Sequence, residues 1–344
     1  MPVSAAPPIV ILGPTAGGKS SLAVELATAL KPAGEVISAD SMQVYKRLDA
    51  GTAKPTSPQR DAVAHHLLDI VEPTDRFTVA DWLRRADAVI ENVQSRGRRP
   101  IVVGGTNLYL KALLEGLFDG PDPSPALRER LQAKGGEALH SHLREIDPDA
   151  AQRISPLDMP RLVRAVEVHE LTGRTITSLQ QQWDREASDR PYRHDPVLIG
   201  LHYPAEAINP RINLRVKAMF HPGKVEPELA ASVCVGGESL PEEVERLLGE
   251  GWLGDEVAPQ ASQALGYKQV LAVLQRSDPK LRTMEDAFER TKVLTRRFAK
   301  QQRTWLKRFR GVHWIDAAGL NTDATLHAAA AAMPYASAGR QQAR

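Results

Sequence analysis

The sequence predicts an α/β protein: a P-loop-type parallel sheet covered by helices, with a helical insertion domain. Three observations lead there. The run Gly13-Pro14-Thr15-Ala16-Gly17-Gly18-Lys19-Ser20 fits the G-x-x-x-x-G-K-[ST] phosphate-loop template in full. Short apolar runs alternate with amphipathic helical stretches, the signature of parallel strands buried on both faces. Between Pro121 and about Arg190 the strand signals stop and charged helical patterns take over.

Taken in order, Ile9-Val10-Ile11-Leu12 reads as a buried strand. The phosphate loop follows, then a helix from Ser21 to Leu30 with Leu22, Ala23, Leu26 and Leu30 at helical spacing. Glu35–Ser38 is a second strand and runs into Asp40-Ser41. Val79–Arg96 is a helix, with Ala80, Leu83, Ala86 and Ile90 recurring on one face. Ile101–Val103 is a strand that ends in Gly104-Gly105-Thr106. Pro121, Pro123 and Pro125 mark a boundary, beyond which Leu127–Lys134 and Arg161–Thr172 read as helices. Val197–His202 returns the chain to the sheet. Phe220 to Ser239 reads as loop, and the alanine-rich end from about Leu320 as a frayed tail. The expected organisation is a discontinuous core (1–120 and 191–316), an insertion (121–190) and a flexible tail (317–344). Ligands of such sheets sit beyond the carboxyl ends of the strands, where the loop, Asp40 and Gly104–Thr106 fall.

Composition narrows the class. With 344 residues, 25% charged and 42% hydrophobic, the chain can bury a large core. A net charge of +2 means that any basic surface must come from local clustering. The single cysteine, Cys234, excludes an intrachain disulfide and fits a reducing compartment. No apolar stretch approaches a membrane span, and Met1 to Pro8 lacks the order of a secretory signal. A cytoplasmic, monomeric enzyme without membrane attachment is expected.

The chemistry concentrates in a few groups. Glycines let backbone N–H groups approach phosphate oxygens, and the helix N-terminus adds partial positive charge. Lys19 adds a mobile cation, and Ser20 can ligate Mg²⁺. Asp40 has two readings: a magnesium-organising carboxylate of a nucleotide hydrolase, or a base that takes a proton from an acceptor substrate. No second apolar run ending in an acid stands out downstream, which weakens the hydrolase reading. Gly104-Gly105-Thr106 is either a tight turn with a capping threonine or a site for an oxygen of a transferred or leaving group. His65 and His66 are adjacent, and neighbours on a strand would point to opposite faces, so packing or hydrogen bonding suits them better than one shared metal. From Arg290 to Arg310 nine basic residues occur with no acid. Leu294, Phe298, Trp305 and Phe309 are expected to dock that helix on the body, leaving a stripe of one sign suited to a nucleic-acid backbone.

Several further runs resemble the tRNA dimethylallyltransferase (IPP transferase) family, from about Ile9 to Asp316. They are Gly13-Pro14-Thr15 with Gly18-Lys19-Ser20, Ser38-Ala39-Asp40-Ser41-Met42-Gln43-Val44-Tyr45, Gly51-Thr52-Ala53-Lys54-Pro55 and His65-His66-Leu67-Leu68-Asp69. Val103-Gly104-Gly105-Thr106-Asn107-Leu108-Tyr109, Arg161-Leu162-Val163-Arg164-Ala165-Val166-Glu167, Gly266-Tyr267-Lys268-Gln269 and Thr295 to Gln302 complete the match. The resemblance implies transfer of a dimethylallyl group from dimethylallyl diphosphate to the N6 amine of adenosine 37, beside the anticodon of tRNA. It implies a catalytic set of Asp40, Thr106, Lys19 and Arg215, with Asp40 as base and Thr106 and Arg215 near the breaking bond. Gly13, Pro14, Thr15, Ala16, Gly17, Gly18, Lys19 and Ser20 would cradle the diphosphate, with Mg²⁺ at Ser20. Contacts to the anticodon stem-loop would come from Asp40, Ser41, Met42, Gln43, Thr106, Arg128, Pro160, Arg161, Leu162, Val163, Arg164, Gln263, Ala264, Leu265, Gly266, Tyr267 and Lys268. The alternatives are an adenylate prenyltransferase acting on free nucleotide, a phosphate-loop kinase, and a non-catalytic RNA-binding protein.

Overall fold

A computed structural model describes residues 6–118, 120–181 and 191–333. The chain divides into two compact units, one formed by Met1–Leu114 with His194–Arg344 and the other by Glu115–Arg193.

The first unit is built on a parallel sheet of β1 (Ile9–Leu12), β2 (Gly34–Ser38), β3 (His65–His66), β4 (Arg99–Val103), β5 (Val197–His202) and β6 (Val312–Asp316). Their spatial order is β3-β2-β4-β1-β5-β6. The register sets Ile11 beside both Val103 and Ile199, and Ser38 beside Val103. The carboxyl ends of β2, β4 and β1 are therefore adjacent. β1 is an unbroken apolar run because both of its faces are covered.

Helices α1 (Lys19–Ala29), α2 (Ser57–Ala62), α3 (Val79–Ser95) and α4 (Asn107–Glu115) belong to the amino-terminal part of the chain. α3 shows how locally the sequence specifies them. Thr78 caps it by accepting from the Asp81 N–H at 3.2 Å, Asp81 returns a bond to the Thr78 N–H at 3.1 Å, and Trp82, Ala86, Ile90 and Val93 form its buried stripe.

The second unit contains α5 (Pro125–Ala133), α6 (Gly136–Ile146), α7 (Pro148–Arg153), α8 (Met159–Thr172) and helical residues 176–181. Its core includes Leu131, Leu139, Leu143, Leu162, Val163, Val166 and Leu179. Buried Asp147 joins two segments, accepting from the Ala150 N–H and the Thr177 N–H, each at 3.0 Å.

The chain then forms α9 (Ala205–Phe220), α10 (Pro227–Val233), α11 (Leu240–Gly249), α12 (Tyr267–Leu274), α13 (Met284–Leu306) and α14 (Thr322–Ala331) in the first unit. Three expectations are corrected here. Phe220–Ser239 is not all loop: it holds a short 3₁₀ turn (Pro222–Lys224) and α10, each opened by a proline in the first turn, where the missing N–H is not needed. The chain beyond Asp316 is not a frayed tail as far as it is described. Asn321 caps α14 by accepting from the Ala324 N–H at 2.8 Å, and Thr325 and Ala329 are buried. Third, β6 is an apolar-polar run that does end in an acid. Asp316 lies at the far edge of the sheet with its side chain 75% exposed, away from the three adjacent strand ends.

Candidate active site

Three chain segments meet where β1, β4 and β2 end. In the phosphate loop, Ala16 and Gly18 adopt left-handed conformations (φ 60° and 79°). The Pro14 carbonyl accepts from the Gly17 N–H at 3.2 Å and from Lys19 Nζ at 2.8 Å. Burial pushes the Lys19 ammonium down to a pKa of about 8; Arg215 adds to that and Asp40 opposes it. Burial also lowers Arg215, again opposed by Asp40. Arg215 Nη1 lies 3.4 Å from Thr15 Oγ1. Among the described residues, neither Lys19 nor Arg215 has a carboxylate within ion-pair distance.

Asp40 follows β2. Its Oδ1 accepts from the Met42 N–H at 2.9 Å and the Gln43 N–H at 3.3 Å, an Asx turn that fixes the carboxylate. Among the described residues Oδ2 makes no hydrogen bond, so that oxygen can accept a proton. Gln43 is held in turn: Ser38 Oγ donates to its Oε1 at 2.9 Å, and its Nε2 reaches the Thr52 and Ala53 carbonyls at 3.2 Å.

The Gly104-Gly105-Thr106 turn packs on the acid turn. A Cβ on Gly104 would lie 2.1 Å from the Ala39 carbonyl oxygen, so only glycine fits. Thr106 Oγ1 accepts from the Ser41 N–H at 2.9 Å and lies 3.3 Å from Ser41 Oγ. Thr15, Lys19, Ser20, Asp40, Gln43, Gly104, Gly105, Arg215 and Gln302 line one cleft, with Val36, Leu68, Val103 and Phe298 as apolar wall.

Several residues were absent from the set inferred by sequence. Arg211, one helical turn before Arg215 on α9, donates from Nε to the Ala16 carbonyl at 2.9 Å and lies over the Tyr203 ring. Its i, i+4 spacing from Arg215 was the available signal. Lys54 is wholly buried, donating to the Tyr45 carbonyl at 2.7 Å and to Asp49 at 2.8 Å, with Asp69 as a further partner. Those bonds brace the segment whose Thr52 and Ala53 carbonyls hold Gln43. His65 lines the cleft and bonds through Nδ1 with the Val63 carbonyl, whereas His66 pairs with Glu35 at 2.8 Å.

The residues named for RNA contact divide by exposure. Tyr267 is 0% exposed. Its hydroxyl donates to Glu243 at 2.5 Å and accepts from the Gly51 N–H at 3.1 Å, so its side chain is a brace rather than an RNA contact. Burial pushes Glu243 up even though three donors reach it. Ala264 is buried, and Gly266 (φ 91°) packs against Leu240. Gln263 and Lys268 stay exposed and bond to each other at 2.6 Å.

In the helical unit, Leu162 and Val163 belong to the core, while Pro160 and Arg161 are exposed. Arg128 makes a two-pronged pair with Glu167 at 2.9 and 2.8 Å, and Arg164 reaches the same carboxylate at 2.8 Å. Burial favours the neutral Glu167 acid, but the two arginines and the Ser124 N–H outweigh it and hold the carboxyl below its ordinary range.

The basic helix α13 also departs from expectation. Ala287, Thr291, Ala299, Gln302 and Leu306 form its buried face, while Leu294 and Trp305 are only half-buried. Arg296 bonds Asn213 at 2.8 Å and Arg303 bonds the Tyr203 carbonyl at 3.1 Å, so these two do not project outward. Arg290, Arg297, Lys300, Lys307 and Arg308 do.

Comparison with known proteins identifies the family. The IPP transferase family profile matches residues 43–309. A tRNA dimethylallyltransferase of Trichlorobacter lovleyi is 42% identical over 94% of this chain and 97% of its own length. One from Corynebacterium diphtheriae is 40% identical over 91% and 94%. A tRNA isopentenylpyrophosphate transferase structure from Bacillus halodurans superposes with a TM-score of 0.62 at 34% identity, covering 93% of this chain and 92% of that one. A eukaryotic dimethylallyltransferase acting on tRNA gives 0.67 at 26% identity, over 91% and 74%. With three quarters of its length inside the family profile and relatives at about two-fifths identity across nearly all of it, the chain belongs to the IPP transferase family.

Proposed function

We infer that this chain transfers a dimethylallyl group from its diphosphate to tRNA, and that the acceptor is the N6 amine of adenosine 37. The observation that carries this reading is the meeting of the phosphate loop, Asp40 and the Thr106 turn in one cleft. The allylic carbon can bear positive charge, so the barrier is largely departure of diphosphate. Lys19 and Arg215, both lining the cleft, would stabilise that leaving charge, together with the phosphate-loop N–H groups left free. The adenine amine is a weak nucleophile, because its lone pair is delocalised. Asp40, clamped through Oδ1, accepts its proton as the new C–N bond forms. Reaching the cleft requires the base to leave its stack.

Magnesium fits the donor set. The Ser20 hydroxyl offers one hard oxygen in the cleft, and among the described residues no group of three or more His, Cys, Asp or Glu is arranged to hold a metal ion. Such an ion would take its remaining ligands from diphosphate and water, as Mg²⁺ commonly does. When bound, it neutralises charge on the leaving group.

The test incubates purified protein with dimethylallyl diphosphate and either an anticodon stem-loop or AMP, followed by nucleoside mass spectrometry. N6-prenylated adenosine in the stem-loop, with little in AMP, is the expected result. Preferred use of AMP would overturn the choice of acceptor. Phosphoryl transfer from ATP without a prenyl donor would overturn the reaction.

A further inference from the structure

Gln302 is 1% exposed and sits on α13, yet both ends of its amide reach other segments. Its Oε1 accepts from the Thr15 N–H of the phosphate loop at 2.8 Å. Its Nε2 donates to the Gly105 carbonyl at 2.8 Å. The fit is close: a Cβ on Gly105 would stand 2.4 Å from that Nε2. One atom group therefore ties the loop that faces the donor diphosphate to the turn that carries Thr106. Thr106 in turn holds the Ser41 N–H, next to Asp40.

We propose that Gln302 is a positioning residue for the transfer, its side-chain amide fixing the gap between the donor cradle and the Thr106–Asp40 acceptor wall. This rests on the prenyl-transfer reading. The argument is geometric. A displacement at carbon needs its reacting atoms about 3–3.5 Å apart, and a 1 Å error between the two halves of a site can lower the rate about 100-fold. Here the two halves come from different strand ends, and a doubly bonded, buried amide joins them. A side chain that only filled space would need neither polar atom, and a buried amide is retained only where both ends are satisfied.

The test compares wild type with Gln302→Met, which keeps volume and removes both hydrogen bonds. A second variant, Gly105→Ala, pushes the amide away while leaving Gln302 in place. Three quantities are read per folded molecule: single-turnover rate at saturating donor and stem-loop, affinity for inorganic diphosphate by calorimetry, and stem-loop affinity by filter binding. The expected result is a turnover rate roughly 10- to 100-fold lower in both variants. Diphosphate affinity should fall by at least about threefold, and stem-loop affinity should move less than about twofold, an RNA readout that a general loss of folding would not spare. Wild-type turnover and diphosphate affinity in Gln302→Met would overturn the proposal. So would a rate loss that disappears once the folded fraction is counted. Absence of prenyl transfer by the wild type would instead reject the reaction assigned above, and the diphosphate measurement would still judge the amide bridge.

Discussion

Two carboxylates, each near two cations, behave in opposite ways. In the helical unit Glu167 is fully buried and closed: Arg128 and Arg164 both bond it directly. In the cleft of the sheet unit Asp40 is held by backbone N–H groups, and Lys19 and Arg215 feel its charge without bonding it. In the closed set four donors saturate the carboxylate, and the set serves folding. The open set leaves two partly desolvated cations and a carboxylate oxygen facing a cleft, an arrangement that an anionic leaving group and a proton donor would complete. The same combination of charges, one carboxylate with two cations, thus carries different work, and saturation of the partners tells the two sets apart.

That contrast can be broken at either end. The largest effect should come from Asp40→Ala, which removes the open carboxylate. The expected fall in kcat is about 10²- to 10⁴-fold with a smaller change in stem-loop affinity, read by single-turnover kinetics and filter binding. Turnover preserved with only RNA binding damaged would remove Asp40 from the proton transfer. At the closed end, Glu167→Gln should leave Arg128 and Arg164 uncompensated and destabilise the helical unit by about 3 kcal/mol, measured by urea unfolding and limited proteolysis. Little change in stability would show that the set is not closed after all.

The third prediction uses the Lys19 pKa of about 8, below its ordinary 10.5. As pH rises through about 8, the free enzyme loses the ammonium that the diphosphate needs. kcat/KM for the donor should then fall about tenfold per pH unit, while kcat stays level because bound diphosphate favours the protonated amine. The effect should vanish in Lys19→Ala, already low throughout. The smallest effect belongs to surface charge. Replacing exposed Arg297 and Lys300 with glutamine should shallow the salt dependence of RNA binding by up to about 0.7–0.9 in slope per lost phosphate contact. An unchanged slope would place the RNA elsewhere.

Much of the sheet was legible because a strand covered on both faces must be apolar throughout. Ile9–Leu12 and Val197–His202 are read to the residue. β3 and β6 were missed for physical reasons. β3 is only two residues long, and β6 is an edge strand whose His313 and Trp314 face solvent, so neither shows a buried run. In the cleft, residues with chemistry in their own side chains, such as Lys19 and Asp40, were legible from motif and position. Gln302 was not, because its role depends on partners 287 and 197 residues away along the chain. Nor could residue type show that Arg128 and Arg164 were already paired, or that Tyr267 points inward. Those are facts of burial, which spacing along one helix does not encode.

The order β4-β1-β5 has a consequence for biosynthesis. β1 takes one neighbour from before the helical unit and the other from after it. A nascent chain that has emerged only as far as Leu114 can pair one side of Ile9–Leu12 and leaves the other side as a bare, wholly apolar ribbon edge. Until Val197–His202 leaves the ribosome, that edge is a template for unwanted strand addition, and truncations ending anywhere in between should aggregate.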